Sequence, residues 1–141
     1  MTDNRPPMDP GDEPGFVRSR LRSFGYAFRG GWHVMRTQRN AWIHAAISAA
    51  VLIVSAWLRL EPRDWAIIIL TIAMVFLAEF LNTAVEVAVD LASPQMHPLA
   101  KIAKDVAAAA VLLTALAAVP VGLLILGPPL WARLAPALGQ P

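Results

Sequence analysis

The run AEFLNTAVEVAVD, residues 78 to 90, carries three carboxylates and an amide at Glu79, Asn82, Glu86 and Asp90. At about 100° per residue, steps of three, four and four place them within a helical sector of roughly 80°, with Val and Leu on the other faces. Like charges so close repel unless a cation sits among them. Mg²⁺ is the natural candidate, because it takes hard oxygen ligands and commonly bridges one or two carboxylates to substrate phosphates. Downstream, HPLAKIAKD (97 to 105) supplies the complement. Lys101 and Lys104 suit phosphate, and Asp105 suits a sugar hydroxyl or a metal. Plainer readings exist for each: the stripe as hydrogen-bonding glue between helices, the lysines as topology signals, and His97 before Pro98 as a turn residue.

The elements that must position these groups are apolar. Of 141 residues, 57% are hydrophobic and only 16% charged, against a usual globular level of about 25% charged, which disfavours both a disordered chain and a soluble enzyme. The apolar residues form three long blocks: 41–58, closed by Arg59; 65–92, opening after Glu61, Pro62, Arg63 and Asp64; and 106–126, uncharged and ending at Gly127, Pro128 and Pro129. A hydrocarbon layer needs about 20 residues, so the pattern predicts three transmembrane helices, with Pro120 as a kink site and Gly127 to Pro129 as the stop of the third. His44 is the one ionisable residue of the first span. Ionisable groups in a span cost several kcal/mol when they face lipid, so the acidic stripe is expected to face inward and to be functional. The absence of cysteine excludes a disulfide scaffold, a thiolate metal site and a cysteine nucleophile.

Charge placement orients the spans. Arg5, Arg18, Arg20, Arg22, Arg29, Arg36 and Arg39 precede span one, Lys101 and Lys104 follow span two, and only Arg59, Arg63 and Arg133 fall on the other side. The N-terminus and residues 93–105, read as a loop, are therefore expected in the cytoplasm. Span two then runs inward, so Glu79 lies deepest and Asp90 nearest the cytoplasm. A soluble phosphate donor can meet Glu86 and Asp90, and a lipid hydroxyl can meet Glu79. Residues 16–36 space Val17, Leu21, Phe24, Phe28, Trp32 and Met35 at steps of three and four, with arginines elsewhere on the wheel, which predicts a basic amphipathic helix in the headgroup plane. Gly30 and Gly31 are expected to weaken it and let the chain turn toward span one. Residues 1–15, polar and rich in Pro, Gly and Asp, read as a disordered tail without a cleavable signal, and residues 133–141 as a C-terminal tail.

Four stretches, EFLNTAVEVAVD (79–90), HPLAKIAKDVAAAAVL (97–112), SFGYAFRG (23–30) and NAWIH (40–44), make the chain resemble the prokaryotic diacylglycerol kinase and undecaprenol kinase family. These are small three-span lipid kinases unrelated to soluble kinases. The resemblance covers about 22–113, and the Asn-x-x-Ile-His run is more similar to the Gram-positive undecaprenol kinase branch. It implies an all-α membrane fold in which residues 16–132 form a single kinase domain: one amphipathic surface helix plus three transmembrane helices, assembled as a homotrimer with sites shared between subunits. It also implies transfer of the γ-phosphate of ATP to the hydroxyl of a lipid alcohol, diacylglycerol or undecaprenol, at a bacterial inner membrane. Residue by residue, it makes Glu79 the general base with Asn82 beside it and Glu86 the ligand of Mg²⁺ on the ATP phosphates. It sets Tyr26, Asp90, Gln95, His97, Lys104 and Asp105 along the nucleotide. One position departs: where the family carries a second metal-ligating glutamate, two residues before the asparagine of the span-one motif, this chain has Gln38. Phosphoryl transfer asks for positioning and charge neutralisation more than covalent chemistry, so this toolkit suffices.

Two other readings stay open at the level of sequence. One is a small transporter or proton-conducting oligomer that uses Glu79, Glu86 and Asp90 as a relay, for which the Lys104 and Asp105 pair has no need. The other is a non-catalytic assembly subunit, for which Gln38 is the argument. No nucleic-acid partner is expected.

Overall fold

The computed structural model describes residues 16–95 and 97–138, and every regular element among them is helical. In chain order these are α1 (Phe16–Thr37), α2 (Arg39–Leu58), α3 (Pro62–Ala92), α4 (Pro98–Leu134) and a short 3-10 turn (Ala135–Leu138). The chain divides after His33 into two compact units. The expected tail at 1–15 lies outside the described residues.

The unit before Val34 is the greater part of α1. Its helix runs unbroken through Gly30 and Gly31, so the expected weak point there does not break it. Glycine inside a helix costs about 1 kcal/mol against alanine, which the bonds of a 22-residue helix absorb. The break falls instead at Gln38, whose extended backbone (φ −102°, ψ 114°) separates α1 from α2. Leu21, Phe24, Tyr26, Phe28 and Trp32 are all exposed, and the Arg29 guanidinium covers the Tyr26 ring at 4.8 Å.

In the second unit α3 packs along α4, and α2 touches both. α2 spans 20 residues, about 30 Å at 1.5 Å per residue, which matches a hydrocarbon core of about 30 Å. It ends in a Schellman turn: Arg59 takes the left-handed conformation (φ 56°), with its N–H bonded to the Ala56 carbonyl and that of Leu60 to Ser55. α3 starts with Pro62 in its first turn, where the missing N–H costs nothing, and Asp64 complements the helix dipole. α3 and the α4 segment through Ala137 are 31 and 40 residues long, and each contains an 18-residue stretch whose mean hydropathy is 2.1 and 2.6 respectively. All three helices are long and apolar enough to cross a membrane.

The core is thin. Ala41, Leu58, Ile68, Val75, Ala78 and Val111 are buried, while Leu112, Leu113, Leu116, Leu123 and Leu124 of α4 stay exposed. Such a surface suits hydrocarbon, where exposed leucine costs nothing and every backbone group must bond within its own helix.

Two expected boundaries move. α4 begins at Pro98, so Lys101, Lys104 and Asp105 ride on a helix and the connection shrinks to 93–97. The cause is local: Pro98 occupies the first turn and His97 caps it, its Nδ1 accepting from the Leu99 N–H at 3.2 Å. At the other end α4 continues through Gly127, Pro128 and Pro129 to Leu134, and not to a stop at 126. Each of those prolines removes one N–H but keeps φ helical, and apolar spans tolerate proline better than soluble helices do. Residues 133–138, expected as tail, complete α4 and the 3-10 turn, and Arg133 packs over the Trp57 ring at 5.1 Å.

Candidate functional site

The acidic face of α3 is graded from buried to open. Glu79 is 1% exposed, Glu86 is half-buried and Asp90 is exposed. Neither carboxylate oxygen of Glu79 has a hydrogen-bond partner, and the Oδ1 of Asn82, one turn on, is equally buried and unbonded. Burying a charged or polar group without a partner costs free energy, so these orphaned atoms mark a place prepared for something else. His44 of α2 and Glu86 lie within Coulombic reach of Glu79. Thr83 bonds the Glu79 carbonyl at 3.0 Å and is itself buried.

Two amides hold Glu86. Asn82 Nδ2 donates to Oε1 at 3.0 Å, and Gln38 Nε2 donates to Oε2 at 3.1 Å from the head of α2. Gln38, Asn82 and Glu86 are thereby brought into one cluster, a convergence of residues 48 apart in sequence. Among the described residues no group of three or more His, Cys, Asp or Glu could hold a metal ion. Any divalent cation held at Glu86 would have to draw its other ligands from water, amide oxygens or a bound anion.

At the cytoplasmic end expected from charge placement, each lysine already has a carboxylate. Lys104 of α4 pairs with Asp90 of α3, and Lys101 pairs with Asp105 one turn on at 2.6 Å. Asp90 and Lys104 are thus brought together, whereas Asp105 is turned to Lys101. His97 serves α4 as its cap. The Gln95 carbonyl accepts from the Ser93 hydroxyl at 2.9 Å. Tyr26 belongs to the unit before Val34, where it faces Arg29. Between α3 and α4 runs an apolar groove of about 340 Å³, lined by Met74, Leu77, Leu81, Val85, Val106 and Ala110 among others, with Asn82 and Thr114 as its polar members.

The sequence pattern offers Gln38 only as a metal ligand, whereas the structure turns its amide to Glu86. His44 reads from sequence merely as a residue at the start of a span. The signal for His44 was available: it is the one ionisable side chain in an otherwise apolar helix.

Comparison with known proteins points one way. The profile of the prokaryotic diacylglycerol kinase family matches residues 25–126. An undecaprenol kinase of Bacillus subtilis is 45% identical over 123 residues, covering 87% of this chain and all of the relative. A diacylglycerol kinase of Synechocystis is 50% identical over 111 residues, 78% of this chain and 63% of the relative. A diacylglycerol kinase of Escherichia coli is 32% identical over 112 residues, 74% of this chain and 85% of the relative. None of these relatives supports the transporter reading.

Proposed function

The chain belongs to the prokaryotic diacylglycerol kinase family and is an integral-membrane lipid kinase, and from that premise we propose that Glu79 is its general base. The observation that carries the proposal is a fully buried carboxylate with both oxygens unbonded. An acceptor left free in this way is ready for the hydroxyl of a lipid alcohol, whose chain the apolar groove beside Asn82 suits. The Glu79 carboxylate takes the hydroxyl proton as the lipid oxygen bonds to the γ-phosphorus of ATP. The bond from that phosphorus to the β,γ-bridging oxygen breaks, and ADP leaves. Asn82, bonded to Glu86, keeps the base and its neighbouring carboxylate in one frame.

Glu86 would hold Mg²⁺, with Gln38 beside it. The chemistry that ion supplies is neutralisation of charge on the phosphates. Lys104 turns from Asp90 to a phosphate oxygen when ATP arrives, an exchange that is cheap because the pair is exposed. Asp90, Gln95, His97 and Asp105 complete the nucleotide's surroundings. The basic α1 lies in the headgroup plane of a bacterial inner membrane with the N-terminus in the cytoplasm, and three copies assemble with sites shared between subunits.

The test is direct. Purified protein reconstituted in lipid receives γ-labelled ATP with diacylglycerol or undecaprenol, and labelled lipid is counted for the wild type and for Glu79→Gln. Label should pass to at least one alcohol in the wild type only. Undiminished transfer by Glu79→Gln would remove Glu79 from its role.

A further inference from the structure

Gln38 occupies the N-cap of α2, a position that favours short polar side chains able to bond the first free N–H groups of the helix. Its side chain makes no such bond. It reaches instead to α3, where Nε2 donates to Glu86 Oε2 at 3.1 Å while Asn82 Nδ2 donates to Oε1 at 3.0 Å. An ionised carboxylate only accepts, so its chemistry dictates that both amides turn their NH₂ faces toward it. Each oxygen of Glu86 thus accepts from a neutral amide donor. A carboxylate at residue 38 would do the opposite: it would add a third negative group beside Glu86 and Glu79 and demand a positive ion to hold the cluster together.

We infer that Gln38 is a positioning residue that stands in for a resident ion. It holds Glu86 ready in the ion-free protein, so that the only cation the site requires is the one delivered with ATP. This rests on the role proposed above for Glu86. It also agrees with the donor set, in which no third acidic, histidine or cysteine ligand accompanies Glu86 among the described residues.

The experiment compares wild type, Gln38→Glu, Gln38→Met and Glu86→Gln as full chains in lipid nanodiscs. Two readouts are independent of turnover: thermal unfolding without nucleotide in EDTA or in Mg²⁺, and Mn²⁺ binding followed by electron paramagnetic resonance with and without a non-hydrolysable ATP analogue. The wild type should melt at one temperature in EDTA and Mg²⁺ and bind Mn²⁺ only with the analogue. Gln38→Glu should melt several degrees lower in EDTA, recover in Mg²⁺, and bind an ion without nucleotide. Gln38→Met, which keeps the length and loses the donor, should melt lower in both media, with analogue-dependent Mn²⁺ binding weakened about tenfold or more, as for other lost outer-shell partners. A merely structural glutamine would not make melting ion-dependent in the glutamate variant alone. Equal melting of Gln38→Glu in EDTA and Mg²⁺, with wild-type ion binding, would overturn the inference while loss of Mn²⁺ in Glu86→Gln left the metal role standing. Unchanged Mn²⁺ binding in Glu86→Gln would overturn the metal role itself, and the inference with it.

Discussion

Glu79 stands apart from the other acidic residues in what surrounds it. Asp90 and Asp105 each face a lysine and Glu86 accepts two amides, but the Glu79 carboxylate is buried with nothing bonded to it. A group kept in that state weakens the fold that holds it. Replacing Glu79 with Gln preserves the volume, removes the charge and removes the proton acceptor. Turnover should therefore fall by about 10² or more, while the melting temperature in detergent rises and ATP affinity is kept. A melting temperature that falls with turnover would show that Glu79 acts through the fold and not on substrate. Lys104 makes the opposite case. Its ion pair with Asp90 is exposed, so Lys104→Met should change stability by no more than about 0.5 kcal/mol. It should nevertheless raise the KM for ATP. An unaltered KM would take Lys104 away from the phosphates.

At the scale of elements, the start of α4 carries two candidate roles on one side chain. His97 was expected beside the nucleotide, and the structure uses it as the cap of α4, with Lys101, Lys104 and Asp105 in the turns that follow. Losing an N-cap costs about 1 kcal/mol, and asparagine is among the best replacements. His97→Ala should lower the melting temperature and weaken ATP binding together. His97→Asn separates the roles: if the cap alone matters, both properties return to wild-type values. Restored stability with ATP affinity still low would mean that the imidazole touches nucleotide. At the far end, Pro128 and Pro129 each leave one carbonyl of α4 without its helical donor. Pro129→Ala returns a donor, so it should raise stability without changing turnover. A loss of stability in thermal unfolding would show that the break in the hydrogen-bond ladder is itself required.

The whole molecule presents a thin core and long apolar helices with exposed leucines, the form expected of a protein whose solvent is lipid. Its acidic face is only partly covered by its own helices, since Glu86 is half-buried and Asp90 exposed. Charged groups at membrane depth are expected to face protein or water. In an assembly with shared sites, a subunit lacking the base and a subunit lacking the phosphate lysine can complement one another. Glu79→Gln chains, dead at any ATP concentration, and Lys104→Met chains, impaired at ATP far below their raised KM, should together regain activity at low ATP when mixed before reconstitution. No recovery in demonstrably mixed oligomers would mean that each chain carries a self-contained site.

Sequence alone determined the helices and the stripe. Apolar blocks of membrane length, prolines that open helices and a period that keeps 79, 82, 86 and 90 on one face are local properties, set by residue type and spacing. Sequence misplaced what depends on the balance between a local breaker and its surroundings. Gly30 and Gly31 were expected to weaken α1 and let the chain turn, and Gly127 to Pro129 to end α4, yet both helices run on, because neighbouring backbone bonds and apolar surroundings outweigh a few weak positions. Only the tertiary structure decided which polar atoms are left without partners and which are paired across helices. The bond from Gln38 to Glu86 joins residues 48 apart, and the isolation of Glu79 is a property of the packed bundle, where its carboxylate is buried with no partner. Periodicity assigns a side chain to a face of its own helix, but the partner it meets is set by the register between helices, which no local pattern encodes.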